Sequence, residues 1–329
     1  MEEALAAGVS TAYRIGPIRA CERLDRISSS VARIATADRT YWLKLVTVTA
    51  RSLDELEAEA EVATGLAGRG LCVAPAISRR DGRYAGTIEL PDGACRALLF
   101  DNAPGVEVAA ASPEQAEALG ALLGRIHATT DVRGAGRRWQ IDVDALARRP
   151  LHTVRHWLRR VGGVGSRHAE RRIAALVALI DEMAALASPP GDALPTGLCH
   201  GDVQLENVRF DGAQPTLFDL EWCGTGACAY DLACYWRGRV GLGPADDELP
   251  RAEWQALLRG YEQIREIAPA ELRAIRALAT LRAVWVMALP AAAGSTWGQD
   301  WLLDPEYIAA HLAMIDRLSQ MARSVGVAR

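Results

Sequence analysis

One short stretch of the chain holds the residues with the greatest capacity for chemistry. His200-Gly201-Asp202 is followed by Asn207 and then, at the end of an apolar run, by Asp219. Asn207 offers an amide oxygen and Asp219 a carboxylate, hard oxygen ligands of the kind that Mg²⁺ binds together with phosphate oxygens. Asp202, in a loop between strand-like segments, is then free to orient an attacking hydroxyl and accept its proton. Asp or Asn alone is typical of a turn, but this combination and spacing indicate a phosphoryl-transfer site.

This stretch resembles the catalytic segment of the aminoglycoside phosphotransferase and choline kinase superfamily, a group with a protein-kinase-like fold. The resemblance is carried by His200-Gly201-Asp202, Asn207 and Asp219, and it continues through the segment from Gly224 to Ala233. The superfamily includes aminoglycoside, choline and homoserine kinases and a bacterial stress-response kinase. The resemblance therefore implies a kinase that binds ATP or GTP with Mg²⁺ and phosphorylates a hydroxyl.

The resemblance also implies a role for each residue of the motif. Asp202 is the expected catalytic base, and Asn207 and Asp219 are the expected Mg²⁺ ligands. Glu221 stands where relatives carry an acidic residue, so a water-mediated contact with a second metal is one expectation for it. Asp231 is expected to brace the catalytic loop through the loop backbone and His200, whose ring then holds the loop by hydrogen bonds.

A kinase of this type also needs a lysine for the α- and β-phosphates, and Lys44 is the only lysine in the chain. Lys44 lies on a strand-like segment whose alternation places Trp42 on the same face. A compact ammonium suits phosphate oxygens better than a guanidinium does when one point charge is required. The resemblance places the acidic partner of Lys44 on the following helix, and Glu59 fits that position best. The competing acids on the same helix are Glu55, Glu57 and Glu61, and most of these acids are expected to be ordinary solvated charges.

The remaining nucleotide contacts are expected in two loops. Protein kinases cover the phosphates with a glycine-rich loop, but this chain has Ser28, Ser29 and Ser30 between its first two strands and no glycine there. Their hydroxyls and backbone N–H groups are candidate phosphate ligands, with plain turn residues as the alternative. The backbone around Phe100 and Asn102 is the expected contact for the adenine edge. The missing glycines favour a small-molecule kinase over a protein kinase.

The elements around these residues predict an α+β chain with a bilobal protein-kinase-like fold. Strand patterns fill most of the first hundred residues, with one helix that begins after Ser52. From Ser112-Pro113 onward the pattern is mainly helical, with one of the helices predicted over about 269–289. A short β island surrounds the catalytic motif, and its predicted third strand is Thr216–Leu220. The predicted parts are a small antiparallel β lobe over residues 1–100, a connector over 101–105 and a helical lobe over 106–329.

The acceptor is expected to bind between the catalytic loop and the helical lobe, and its chemistry stays open. The chain has nine tryptophans against three phenylalanines, which favours an amine held by cation–π contacts. Arg155 and Arg237 fit a carboxylate equally well. The candidate wall residues are Trp222, Tyr235, Trp236, Arg237, Trp297, Asp300 and Trp301, with His152, Arg155, His156 and Trp157 from the middle helices.

Composition and patterning disfavour several other classes. The formal net charge is −4, which disfavours a nucleic-acid partner. The apolar run from Leu278 to Gly294 is interrupted by Arg282 and Pro290, so it predicts a buried helix instead of a membrane span. No secretory leader is evident, and the cytoplasm is the expected location. The seven cysteines lack metal-ligand spacing, and Gly224–Ala229 lacks the second parallel strand of a dinucleotide fold.

The sequence therefore predicts an ATP- or GTP-dependent O-phosphotransferase acting on a small-molecule hydroxyl, such as an antibiotic, an amino alcohol or a hydroxy amino acid. Two alternatives remain, which are a stress-response type of protein Ser/Thr kinase and a non-catalytic nucleotide-binding module. The sequence leaves the oligomeric state and the acceptor undetermined.

Overall fold

A five-stranded antiparallel sheet dominates the first part of the chain. The computed structural model describes residues 2–25, 30–91, 93–162, 166–188, 193–240, 251–297 and 305–324. The strand order is β1-β2-β3-β5-β4. The strands are β1 (Ala20–Asp25), β2 (Ser30–Ala35), β3 (Thr40–Thr47), β4 (Gly86–Leu90) and β5 (Gly93–Asp101).

Each face of this sheet is covered by one helix. Along β3, Leu43 and Leu45 point to one face, where they pack with Leu5 and Val9 of helix α1 (Glu2–Ala12). Val46 points to the other face and packs with Leu56 of helix α2 (Leu53–Ala67). Lys44 lies on that second face, because side chains alternate along a strand. The sheet therefore presents Lys44 to the side on which the helical lobe lies.

Helix α1 was not predicted, and the single helix expected in this lobe is α2. The α1 sequence is rich in alanine and buries only Leu5 and Val9, so its apolar periodicity is weak. By contrast, α2 begins where predicted, with Ser52 as N-cap and Glu55 completing a capping box. Helix α3 likewise begins at Pro113 after the Ser112 cap.

The remainder of the chain is mainly helical. Helix α8 is the centre of this lobe and contacts α4, α5, α6 and α9. It continues through Pro290 to Trp297, although the sequence pattern predicted its end at Leu289. The helices are α3 (Pro113–His127), α4 (Arg149–Gly162), α5 (Arg167–Ala187), α6 (Ala229–Val240), α7 (Arg251–Glu262), α8 (Pro269–Trp297) and α9 (Pro305–Ser324).

Helices α3 and α7 pack with their backbones in close approach because each carries a glycine at the contact. A Cβ atom on Gly120 would lie 2.0 Å from the carbonyl oxygen of Leu257, and one on Gly260 would lie 1.8 Å from that of Glu117. Both distances are far below van der Waals contact, so neither position accepts a side chain in this packing.

The β island beside the helices carries the catalytic motif. A three-stranded sheet has the order β6-β10-β7, and β8 and β9 form a hairpin. The predicted third strand of the island ends at Leu217 instead of Leu220, since Asp219 has left-handed backbone geometry. Strands β6 and β10 were not predicted, and both are short. The strands are β6 (Trp139–Ile141), β7 (Thr196–Cys199), β8 (Val208–Asp211), β9 (Gln214–Leu217) and β10 (Gly224–Ala227).

Among the described residues, no helix combines the length and the apolar character that crossing a bilayer requires. The sheet lobe and the helical lobe agree with the predicted α+β kinase-like fold. The limits of the connector at 101–105 stay a prediction, and strand β5 runs to Asp101.

Candidate active site

The loop between β7 and β8 carries Asp202, and a left-handed glycine shapes it. Gly201 has φ +85°, and a Cβ atom there would lie 1.9 Å from the carbonyl oxygen of Trp222. The His200 ring links both sides of the motif, because its Nδ1 accepts from the Asp202 backbone N–H at 3.2 Å and its Nε2 lies 3.0 Å from the Phe218 carbonyl oxygen. These partners assign a neutral ring that donates from Nε2. His200 therefore holds the loop, and both ring nitrogens are engaged.

Asp231, at the start of α6, forms hydrogen bonds to the backbone of the loop that carries Asp202. Its carboxylate accepts the backbone N–H groups of His200 at 2.7 Å and Gly201 at 2.8 Å. The His127 ring lies between Asp231 Oδ2 at 3.0 Å and the Tyr261 hydroxyl at 2.6 Å. Burial alone would raise the pKa of Asp231, but the hydrogen bond and charge of His127 and the backbone donors lower it. The brace expected of Asp231 is thus present as a fully buried hydrogen-bond network.

The Asp202 carboxylate is held by three side chains. Arg282 Nη2 lies 2.5 Å from Asp202 Oδ1, and the Gln204 amide donates to the same oxygen. The Asn207 amide nitrogen donates to Asp202 Oδ2 at 3.2 Å and to its carbonyl oxygen at 2.9 Å. The Asp202 side chain is 18% exposed, so part of it reaches the cleft. The carboxylate is therefore oriented before any substrate binds.

Sequence analysis did not find the role of Arg282, which it treated only as an interruption of an apolar run. Arg282 is 2% exposed and also donates to the Gly201 carbonyl oxygen at 2.7 Å and to the Tyr230 hydroxyl at 2.6 Å. Its guanidinium lies over the Trp285 ring at 5.0 Å. A charged residue inside an apolar helical run signals a buried partner, and this signal was available in the sequence. The partner itself is set by the tertiary fold.

Asp219 follows β9 and turns its carboxylate toward the sheet lobe. Its backbone angles are φ 61° and ψ 68°, which is uncommon for a residue other than glycine. Its Oδ1 lies 2.9 Å from Lys44 Nζ, and its side chain is 42% exposed. The preceding Phe218 N–H donates to the Asn207 carbonyl oxygen at 3.1 Å, so Asn207 and Asp219 are neighbours. The Asn207 amide nitrogen is already bonded to Asp202, which leaves the amide oxygen for another ligand.

Lys44 lies at the centre of three carboxylates. Its Nζ is 3.0 Å from Glu59, 2.9 Å from Asp219 and 2.8 Å from Glu221. Burial alone would lower the pKa of Lys44, but the three carboxylates raise it above its ordinary value. Burial would likewise raise the pKa of Glu59, yet Lys44 and the Arg51 guanidinium at 2.6 Å lower it to about 2. Both groups are therefore charged at neutral pH.

The structure gives each competing acid of α2 a different partner. Glu59 is fully buried and is the α2 acid that contacts Lys44 among the described residues. Glu55 caps the helix, and Glu57 accepts the backbone N–H groups of Tyr84 and Ala85. Glu61 is buried and pairs with Arg133 and Arg137. The expectation that most of these acids are ordinary solvated charges is wrong for Glu57 and Glu61.

Other predicted nucleotide residues are only partly described. Ser28 and Ser29 lie outside the described residues, and Ser30 begins β2 and accepts from Arg23 at 2.9 Å. Phe100 pairs with Trp42 across strands β5 and β3. The Trp42 indole N–H donates to the Asn102 side-chain oxygen at 2.8 Å, so β3 is tied to the connector.

The predicted acceptor residues do not all lie together. Trp222 is partly exposed, and it packs with Trp139 and Trp285 in one aromatic cluster. Trp236 is 5% exposed and lies under Arg276, and His156 is exposed on α4 with no described contact to Asp202. Arg155 is partly buried. The side chain of Trp297 and residues Asp300 and Trp301 lie outside the described residues.

The sheet lobe presents a lysine–glutamate pair, and the loops of the helical lobe present Asp202, Asn207 and Asp219. This combination defines a kinase-like phosphotransferase. Comparison with known proteins gives the same class. The chain belongs to the phosphotransferase enzyme family, whose profile matches residues 21–267. This match confirms the resemblance drawn from the motif, and the chain is an enzyme of that family acting on small molecules.

Two relatives illustrate the family match. An uncharacterized protein of Deinococcus radiodurans is 30% identical over 306 residues, which cover 92% of this chain and 85% of the relative. A homoserine kinase of Neisseria meningitidis serogroup B is 25% identical over 266 residues, which cover 80% of each chain.

Solved structures share the fold at lower identity. An amicoumacin kinase in complex with AMP-PNP and Ca²⁺ has a TM-score of 0.70 and 20% identity, with 98% of this chain and 92% of that chain covered. A microcompartment-associated aminopropanol kinase has a TM-score of 0.71 and 18% identity, with 98% and 97% covered. These matches confirm the bilobal kinase-like fold.

Proposed function

We propose that this protein phosphorylates a hydroxyl of a small molecule with ATP and Mg²⁺, with Asp202 as the catalytic base. The observation that carries this proposal is the Asp202 carboxylate, which the side chains of Gln204, Asn207 and Arg282 orient. Asp219 lies next to Asn207, since the Phe218 N–H donates to the Asn207 carbonyl oxygen. The acceptor oxygen attacks the γ-phosphorus, its proton passes to an Asp202 carboxylate oxygen, and the bond between the γ-phosphorus and the ADP oxygen breaks. The products are a phosphate monoester and ADP.

The other half of the site suits the nucleotide. Lys44 would contact the α- and β-phosphates, and Glu59 with Arg51 fixes the Lys44 ammonium from behind. The amide oxygen of Asn207 and the carboxylate of Asp219 form a hard-oxygen donor set that fits Mg²⁺. When bound there, the metal would neutralise charge on the phosphates. The scheme applies to GTP as well as ATP, because the contacts expected between the connector and the base use backbone groups.

Replacing Lys44 by methionine is expected to lower kcat/KM for ATP by about 10²–10³-fold, the range for the loss of one preorganised charge contact. Three carboxylates would also lose their common cation, so the free energy of unfolding should fall by about 3–5 kcal/mol. Steady-state kinetics and urea unfolding of the same preparation separate the two effects. Lys44→Arg is the matched control that keeps the charge, and kcat/KM within twofold of wild type for Lys44→Met would contradict this role.

The reaction class is tested by transfer of γ-labelled phosphate from ATP, with GTP in parallel, to a pool of acceptors. The pool contains aminoglycosides and other antibiotics, amino alcohols, hydroxy amino acids and a generic protein substrate, and Asp202→Asn supplies the blank. Label on a small molecule that is missing in the blank supports the proposal. Label on protein alone would favour a protein Ser/Thr kinase, and nucleotide binding without transfer to any acceptor would favour a binding module.

A further inference from the structure

Arg237 on α6 is a partly buried arginine without a counter-charge. Its Nε is buried and has no hydrogen-bond partner, and it forms no ion pair with a described carboxylate. Arg155 on α4 also has a buried Nε without a hydrogen-bond partner, but the neighbours of Arg237 along α6 are the ones that contact the catalytic loop. Arg51 pairs with Glu59, and Arg282 pairs with Asp202. A buried guanidinium nitrogen without a partner is costly, so a group from outside the described residues is the natural complement.

Arg237 lies beside the catalytic loop. One turn before it, the Cys234 thiol lies 3.7 Å from the Gly201 carbonyl oxygen as a donor. Directly after it, a Cβ atom on Gly238 would lie 3.2 Å from the Gln204 side chain. Burial and the charge of the neighbouring Arg282 lower the pKa of Arg237, and Asp202 acts in the opposite direction. Arg237 is therefore within electrostatic range of the catalytic base.

The surroundings of Asp202 disfavour an acceptor that is held only by its ammonium group. The Trp285 face is already occupied by the Arg282 guanidinium at 5.0 Å, and the Trp236 face by Arg276 at 5.6 Å. The Trp139 indole N–H is bonded to the Trp222 carbonyl oxygen, and these rings pack on one another. A second cation at these faces would be repelled by the first.

The charges beside Asp202 favour an anion instead. Asp202 is already paired with Arg282, and Arg237 forms no ion pair with a described carboxylate, so the positive charge of Arg237 is not neutralised by an ion pair among the described residues. An arginine fork with free donors matches the two oxygens of a carboxylate. Because Arg282 already donates to Asp202, Gly201 and Tyr230, Arg237 is the group left for a ligand.

We propose that Arg237 binds a carboxylate of the acceptor, so that the substrate class is hydroxy acids and hydroxy amino acids and not amino alcohols. This inference rests on the proposed phosphotransferase function and adds the specificity of the acceptor site. In this arrangement Arg237 holds the carboxylate while the acceptor hydroxyl meets Asp202. Arg237 thus determines which acceptors are held productively, and the proton transfer belongs to Asp202.

Three matched pairs of acceptors test this assignment, because each pair differs only by a carboxylate. The pairs are homoserine with 3-aminopropan-1-ol, serine with ethanolamine, and threonine with 1-aminopropan-2-ol. With wild-type protein, Mg²⁺ and ATP, kcat/KM for the carboxylate-bearing member of at least one pair should be about 10- to 100-fold higher. A preference for the decarboxylated member in every active pair would overturn the proposal.

The variant Arg237→Gln should raise KM for the preferred carboxylate-bearing acceptor by about 10- to 100-fold, with kcat and KM for ATP within about twofold of wild type. Activity on the decarboxylated partner should be unchanged, and Arg237→Lys should lie between the two. The thermal midpoint should be equal or higher, since a buried charge without a partner is removed. Arg171→Gln, at an exposed position of α5, is the matched control.

Three further outcomes would overturn the proposal. A lower midpoint with unchanged acceptor KM would make Arg237 a structural residue. An equal loss of kcat on all acceptors would indicate that Arg237 contacts the transferred phosphoryl group instead of the acceptor. Lack of both phosphorylation and calorimetric binding for all three carboxylate-bearing acceptors would exclude this substrate class, while label on a different small molecule in the pooled assay would leave the proposed phosphotransferase function intact.

Discussion

Replacing Asp202 by asparagine is expected to lower kcat by about 10²–10⁴-fold and to leave the affinity for ATP unchanged. Asparagine has the same shape and keeps an oxygen for Arg282 and Gln204. Asn207 would lose its hydrogen bond to Oδ2 but keep the one to the backbone carbonyl oxygen of residue 202, so the loop should keep its geometry. The asparagine at position 202 cannot accept the proton of the acceptor hydroxyl. Initial rates with the acceptor found in the pooled assay, together with calorimetric titration of ATP, measure both quantities.

Asp211→Asn is the matched control for Asp202→Asn, since Asp211 is an exposed aspartate at the end of β8 and the substitution removes the same charge. Its kcat should equal that of wild type. If Asp202→Asn retained kcat within tenfold of wild type, Asp202 would not be the base, and the loop would serve only to position the acceptor.

Replacing Asp231 by asparagine is expected to lower the free energy of unfolding by about 3–5 kcal/mol, the range for removing one partner of a buried ionic network. Asp231 is fully buried and accepts from His200, Gly201 and His127. The amide group of asparagine would face one of these donors with a donor of its own. Urea unfolding at neutral pH measures the loss, and Asp181→Asn, at an exposed position of α5, should change the value by less than about 1 kcal/mol.

The difference in unfolding free energy between wild type and Asp231→Asn should become smaller as the pH falls. The pKa of Asp231 is lowered in the folded protein, so its stabilising contribution is present above the unfolded carboxyl pKa of about 3.9. That contribution is lost as the pH falls through the lower folded value. The difference in unfolding free energy between wild type and Asp231→Asn should therefore narrow below about pH 4. A difference that is constant from pH 7 to pH 3 would show that ionised Asp231 is not what stabilises the loop.

Local signals in the sequence were sufficient to predict the start of the helices that begin with a capping residue. Ser52 and Ser112 each start a helix where the capping pattern predicts it, because those hydrogen bonds close within three residues. The catalytic motif was equally readable, since phosphoryl transfer needs particular oxygen donors in a fixed order along adjacent loops. The short strands β6 and β10 have no such signal, and they form by tertiary pairing, β6 with β10 and β10 with β7.

The parts that the sequence could not give depend on residues far apart in the chain. Arg282 meets Asp202 only because α8 passes under the catalytic loop. Of the three carboxylates around Lys44, Glu59 was expected from the resemblance. The contacts of Lys44 with Asp219 and Glu221 were not predicted, because they depend on how the segment after β9 packs against the sheet lobe. The lack of a partner for Arg237 is likewise a property of the folded surroundings, since a lone arginine in a sequence is ordinarily a solvated charge.

Since Lys44 is the only lysine of the chain and is 6% exposed, the ε-amine chemistry of the whole protein is confined to the candidate nucleotide cleft. Apart from the amino terminus, an acylating reagent has one amine to modify. Glu59, Asp219 and Glu221 keep that amine protonated, so simple acylating agents should react with it slowly. A reagent that carries its acyl group on a nucleotide would be delivered to it. The fraction of chains that carry one covalent adduct, measured by mass spectrometry, would then give the fraction of protein with a nucleotide-binding cleft. This measurement does not require the acceptor to be known.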